Sequence, residues 1–182
     1  MTEIRCAWAK LPLDIDYHDK EWGKPLKDEQ KLFELFILET MQAGLNWHTI
    51  LTKRENYRQA FDQFDPAKIA NYDEAKYEEL LLNEGIIRNK LKIKSVIKNA
   101  QAYQKLLETQ TFVDYIWRFV DHKPIINEYA TISEVPAVTE LSEQMSQDMK
   151  KKGFSFVGPT TCYAFMQAAG LVNDHTLDCT FR

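Results

Sequence analysis

Apolar residues crowd one stretch of this chain, LFELFILETMQAGLNW, from Leu32 to Trp47. Leu35, Phe36, Ile37 and Leu38 follow one another, so at helical pitch they cover the whole circumference, which predicts a helix inside the protein. Asp28 supplies its cap, the helix runs to about Ala43, and Gly44 can take the left-handed turn that ends it. Into this helix the sequence puts one carboxylate, Glu39. A buried acid needs a partner, a raised pKa or a function, unless it faces a rim of solvent. Leu45 and Trp47 emerge just beyond the turn.

The other elements follow from capping signals and spacing. A second helix starts at Asn46, with Trp47, Ile50 and Leu51 on one side and Tyr57 and Phe61 further along. Asp65-Pro66 starts another, with proline in the first turn, and Asp73 opens EAKYEELLL. A long helix runs from about Asn89 to Leu107, Thr111 caps FVDYIWRFV, Thr139 starts a helix that stops at Gly153, and Pro159 begins TTCYAFMQAAG, closed by Gly170. Residues 1–26 read as irregular but aromatic, and 121–138 as loop. With no alternating strand and no repeat, the prediction is an all-α fold in one domain, residues 1–182.

Composition and charge narrow the picture. The opening MTEIRCAWAKLP has no apolar run, no stretch approaches the length of a membrane span, and three distant cysteines make no disulfide framework. A monomer in a reducing cytoplasm is expected, with no membrane partner. The net charge is −4, yet Arg88, Lys90, Lys92, Lys94, Lys98 and Lys105 follow Gly85 with no acid among them. Such a stripe suits a polyanion or a plain solvated helix face.

Three constellations carry candidate chemistry. Cys6 and His18 lie near one end, His175 and Cys179, spaced i, i+4, near the other. Two thiolates and two imidazoles compose a closed tetrahedral Zn²⁺ set tying the ends 1–26 and 171–182; spacing alone fits unconnected cysteines and surface histidines equally well. Asp174 and Asp178 are candidates to orient the imidazole. The second constellation, LLLNEGIIRNKLKIKSVIK, reads as a helix-hairpin-helix over about residues 73–107. The backbone amides of Gly85, Ile86 and Ile87 and the start of the next helix would face a DNA phosphate, with Arg88, Lys90 and Lys92 adding charge. A plain helical hairpin with a soluble lysine face is the alternative. Third, Trp8, Tyr17, Trp22 and Trp47 cluster around Glu39 in sequence order. They suit a slot for a planar heterocycle, or serve as ordinary core aromatics.

Taken in order, CAW, LDIDYHDKEWG, LFELFILETMQAGLNWHTIL, KRENYRQAF, EGIIRNKLKI, VIKNAQAY and GFSFVGPTTCYAFMQAAGLVNDH resemble the landmarks of the bacterial DNA-3-methyladenine glycosylase I family through nearly the whole chain. The resemblance implies a helix-hairpin-helix DNA glycosylase fold with one structural zinc on Cys6, His18, His175 and Cys179. It implies excision of 3-methyladenine from alkylated double-stranded DNA, with the free base as product and no lyase step. By position, Glu39 matches the carboxylate that bonds the base, Tyr17 and Trp47 the stacking walls, Trp8 and Trp22 nearby pocket aromatics, and Leu45 the wedge that fills the gap left by the extruded nucleotide. Asp14 stands where some relatives carry another aromatic, and Leu91 where a glycine is expected. The neighbourhood in which many helix-hairpin-helix glycosylases place a catalytic aspartate reads KLLE, and Glu108 is left unassigned. A zinc-stabilised helical module that binds nucleic acid without catalysis is the competing reading.

Overall fold

The computed structural model describes residues 2–182, so Met1 of the expected N-terminal segment lies outside it. Nine α-helices occur among the described residues: α1 Pro12–Lys20, α2 Glu29–Gln42, α3 Trp47–Ala60, α4 Pro66–Ala70, α5 Glu74–Leu81, α6 Lys90–Leu106, α7 Phe112–Trp117, α8 Glu140–Lys151 and α9 Pro159–Ala168. Helix α2 runs through the middle, packed against α3, α6, α7 and α9. Leu32, Phe33, Ile37 and Met41 on it are fully buried, as a helix apolar all round requires. Phe36 meets Phe112, Phe154 and Phe165 with ring centroids 5.6 Å apart in each pair.

The caps predicted from sequence hold locally. Side chains of Asp28, Asn46, Asp65, Asp73, Asn89 and Thr111 each accept from a first-turn amide of the helix they precede. Gly44 sits at φ +77° and ends α2.

Two elements depart from the sequence reading. Residues 12–20 form a helix where irregular chain was expected; Pro12 starts it, and its buried side chains are Asp14, Tyr17 and His18, so no aliphatic stripe announces it. Within the loop 121–138, β1 Ile125–Ile126 pairs in parallel with β2 Val172–Asn173, pinning that loop to the chain after α9.

The α5–α6 hairpin is braced from α3. Asn56 Nδ2 donates to the Gly85 carbonyl at 3.0 Å, and the Ile87 amide donates to Tyr57 Oη at 3.1 Å. Gly85 N–H donates to Asn83 Oδ1 at 2.8 Å and Ile86 N–H to Asn83 O at 3.5 Å. The amides expected to face a phosphate at Gly85, Ile86 and Ile87 are therefore spent inside the protein, and Ile86 is a buried anchor. Arg88 and Lys90 are exposed as expected. Lys92 is not: it is buried, with its ammonium turned inward.

Candidate active site and metal centre

Four chain segments bring Glu39 and the aromatics together. The N-terminal strap supplies Trp8, α1 supplies Tyr17, the turn after α1 supplies Trp22, and the start of α3 supplies Trp47. With Glu39 they line a cavity of about 190 Å³, a volume suited to one bicyclic heterocycle. Gln42, Ala164, Gln167 and Ile132 complete its wall. Nothing in the sequence marks these four, because they reach the cavity only through long-range packing of α2, α9 and the 121–138 loop.

Polar atoms on the cavity's lining residues are buried and under-satisfied. Glu39 is 4 % exposed, and its Oε2 has no hydrogen-bond partner among the described residues. The same holds for Tyr17 Oη and Trp47 Nε1. Three unpaired polar atoms on residues that line one small cavity cost stability. Burial pushes the Glu39 carboxyl up to about 8 and, with the nearby Glu39 and Glu21 charges adding to it, the Tyr17 phenol well above its ordinary value.

Tyr17 and Trp47 stand 5.4 Å apart at 44°, already within aromatic contact range, so no third ring fits between them. The expected sandwich is instead a corner. Trp8 meets Trp22 at 5.2 Å and 73° and Tyr17 at 6.5 Å, extending the wall. Asp14 puts no ring in the slot. Its carboxylate lies 2.8 Å from His48 Nδ1, tying α1 to α3 beside the Tyr17–Trp47 contact. Leu45, 40 % exposed, projects from the turn between α2 and α3.

Cys6, His18, His175 and Cys179 are all buried, with donor atoms within 4.8 Å of one another. Cys6 Sγ is 3.6 Å from His175 Nδ1, which is 3.3 Å from Cys179 Sγ; that sulfur is 3.6 Å from His18 Nε2. Tetrahedral Zn²⁺ with bonds of about 2.3 Å to sulfur and about 2.0–2.1 Å to nitrogen has sulfur–nitrogen edges of about 3.6 Å, so this set fits the ion. The outer partners fit as well. His18 Nδ1 pairs with Asp19 Oδ1 at 2.7 Å, His175 Nε2 with the Trp22 carbonyl at 2.9 Å, and the Thr176 amide donates to Cys6 Sγ at 3.4 Å. Asp19, itself held by Arg5 at 2.7 Å, orients His18, while the Trp22 carbonyl takes the role at His175 that was expected of Asp174 or Asp178. Asp174 turns away to accept from Asn127, Gln167 and Tyr163, while Asp178 is exposed. The His18 ring stacks on Trp22 at 6.2 Å and 16°, so the cluster braces the pocket wall.

A larger cavity, about 450 Å³, lies on another side of Tyr17. Within its charged lining Arg54 pairs with Glu21 and Arg58 with Glu34, whereas Glu39 in the smaller cavity stands unpaired.

The described residues thus combine a helical fold, a braced hairpin and an aromatic recess holding one unpaired acid. The profile of the methyladenine glycosylase family matches residues 8–182, and the chain belongs to that family. It is 51 % identical over 177 residues to the DNA-3-methyladenine glycosylase of Haemophilus influenzae (96 % of each chain) and to DNA-3-methyladenine glycosylase 1 of Escherichia coli (96 % of this chain, 95 % of that one). Among solved structures, a 3-methyladenine DNA glycosylase I superimposes with TM-score 0.95 at 49 % identity, covering 97 % of this chain and 98 % of that one. The Staphylococcus aureus 3-methyladenine DNA glycosylase I, a structure concerned with 3-methyladenine recognition, superimposes with TM-score 0.94 at 37 % identity, covering 97 % and 95 %.

Proposed function

We propose that this chain is a DNA-3-methyladenine glycosylase of base-excision repair, hydrolysing the N-glycosidic bond of 3-methyladenine in alkylated double-stranded DNA. The carrying observation is the Glu39 carboxyl, buried without a partner in a base-sized recess beside two further unpartnered donors, Tyr17 Oη and Trp47 Nε1. A non-catalytic nucleic-acid module has no use for such a group.

Methylation at N3 makes adenine cationic and weakens its bond to the sugar. Extrusion of a damaged base costs less than that of a sound one, and Leu45 fills the gap it leaves. Inside, the cation lies on the face of one ring of the Tyr17–Trp47 corner and meets the edge of the other, gaining cation–π attraction from the first. Glu39, with its pKa near 8, is largely neutral in the free protein at pH 7. The incoming positive charge favours its ionised form, a gain that neutral adenine cannot offer. Water adds to the sugar carbon and loses a proton, the carbon–nitrogen electron pair goes to the base, and neutral 3-methyladenine leaves. No lysine lines the cavity among the described residues, and this reading takes water as the nucleophile, with no lyase step.

Cys6, His18, His175 and Cys179 would hold one Zn²⁺, which when bound serves as a four-coordinate structural tie between the ends. In this reading residues 1–182 act as one domain, as a cytoplasmic monomer, with Arg88 and Lys90 on DNA phosphates. No helix of the described residues is long and apolar enough to cross a membrane. The test is release of free base from methylated duplex DNA. The wild-type chain releases 3-methyladenine and Glu39→Ala loses most of that activity; release by the variant at the wild-type rate removes Glu39 from the site.

A further inference from the structure

Among the described cations that follow the hairpin, Lys92 alone points inward. Its Nζ donates to the Met41 carbonyl at 2.8 Å and the Ala43 carbonyl at 2.5 Å, at the end of α2. These two carbonyls flank Gln42, which lines the base cavity and whose own carbonyl accepts from the Leu45 amide at 2.7 Å. Gly44, at φ +77°, completes the turn, and Leu45 stands exposed on it. Glu39 lies one turn back on the same helix. The carbonyls at the end of a helix have no intrahelical donors, and a cation there also meets the negative end of the helix dipole. Lys92 therefore fixes the turn that carries the wedge.

Its own element gives the arrangement direction. Lys92 lies in the first turn of α6, two residues after exposed Lys90 and four after exposed Arg88. Asn89 caps that turn by accepting from the Lys92 amide at 3.1 Å, and Ile93 and Val96 seat the helix in the core. The segment offered to the DNA backbone and the segment offered to the base stack are thus joined by one side chain, without intervening solvent.

We infer that Lys92 is a positioning residue: it sets the register between the hairpin that grips the DNA backbone and the Gly44–Leu45 turn that enters the duplex, and it touches no phosphate itself. The inference rests on the glycosylase reading above. It separates from a direct phosphate ligand by salt dependence, since removing one cation from a phosphate lowers the slope of log affinity against log salt by about 1. It separates from a general structural role because the base cavity stays formed.

The experiment compares wild type, Lys92→Met, Lys92→Arg, Leu45→Ala and the Lys92→Met/Leu45→Ala double variant. The expected result for Lys92→Met is a kcat for base release reduced about 10- to 100-fold, the scale of a small misplacement near a reacting centre. Its KM, the salt slope of duplex binding and the affinity for free 3-methyladenine stay within about twofold of wild type. Lys92→Arg, which keeps two donors, recovers part of the loss, and Lys92→Met adds little once Leu45 is gone, because both act through one turn. A salt slope lowered by about 1 makes Lys92 a phosphate ligand and overturns the inference. Additive losses in the double variant, or a Lys92→Met enzyme with wild-type kcat, overturn it too. If Lys92→Met fails to fold, Lys92→Gln, which keeps one donor and removes the charge, decides: reduced kcat with an unchanged salt slope supports the inference, and a slope lowered by about 1 or a wild-type kcat refutes it. Absence of base release from the wild-type chain defeats the glycosylase reading instead.

Discussion

The Tyr17 and Trp47 rings make an open corner rather than two parallel walls, 5.4 Å apart and tilted by 44°. On the proposed reading a base entering it would lie on one ring and meet the edge of the other, with Tyr17 Oη and Trp47 Nε1 as candidates to bond its rim. Tyr17 Oη is buried without a partner among the described residues, which costs the free protein about 1–3 kcal/mol. Tyr17→Phe removes that cost and keeps the ring. The expected outcome is a variant at least as stable as wild type in urea that binds free 3-methyladenine about tenfold more weakly, the size of one hydrogen bond. A less stable variant with unchanged affinity places the hydroxyl in the fold rather than in recognition.

Glu39 gives stability a pH dependence whose sign is fixed by the direction of its shift. The folded carboxyl titrates near 8 and the unfolded one near 4.5, so between these values the folded chain holds the extra proton. Stability from this group is fully present below pH 4.5 and lost as pH rises through 8. The full loss is several kcal/mol, on the order of 5. Glu39→Gln carries no such titration, so its stability advantage over wild type grows between about pH 5 and about pH 9. Urea unfolding of both chains at the two pH values measures it; an advantage that does not change means the carboxyl is hydrated.

Why some of this was legible in the sequence and some was not has a physical basis. Caps such as Asp28, Asn46 and Asn89 each act on an amide three residues on, so their chemistry is written in neighbouring letters. The α2 helix was legible because an all-apolar surface has one place to go. Helix α1 was hidden because it buries an acid, a phenol and an imidazole instead of aliphatics. Lys92 looked like one more member of a solvated stripe, since alternating lysines conceal which one falls on the inner face of α6. Gln42, Ala164, Gln167 and Ile132 reach the cavity through tertiary packing alone. Leu91, 69 % exposed beside Arg88 and Lys90, has no account in the structure.

Asp19 is the partner that fixes the His18 ring, with Nδ1 2.7 Å from its carboxylate and Nε2 turned toward Cys179. Removing such an outer partner typically costs about 10–100-fold in metal affinity. Asp19→Asn is expected to lose zinc to a competing chelator by about that factor, while exposed Asp178→Asn holds it as wild type does. If the proposed zinc is bound, its removal is expected to lower the melting temperature of both. Equal retention by the two variants, measured by metal analysis after dialysis against chelator, removes Asp19 from this role.

Gly44 and Gly170 share a left-handed backbone, φ +77° and +76°, but not the same space. Around Gly44 an added Cβ meets no described atom within 4 Å, so Gly44→Ala incurs only the strain of that conformation, about 1–2 kcal/mol. At Gly170 the same Cβ would lie 2.3 Å from the Lys24 carbonyl carbon and 2.5 Å from the Pro25 nitrogen. Backbone cannot swing aside as a side chain can. The strap of residues 23–26 would have to lift, breaking the bonds from Gly23 N–H to Gln167 O at 3.1 Å and from Leu26 N–H to Ala169 O at 2.9 Å. That strap seats Trp22, whose carbonyl holds His175, so its loss spreads to the Cys6–His18–His175–Cys179 cluster and the pocket wall. Gly170→Ala is therefore expected to lose several kcal/mol more than Gly44→Ala in urea unfolding, and to retain zinc poorly. Equal losses at the two glycines mean that strain alone governs both, and that the close approach at Gly170 relaxes without consequence.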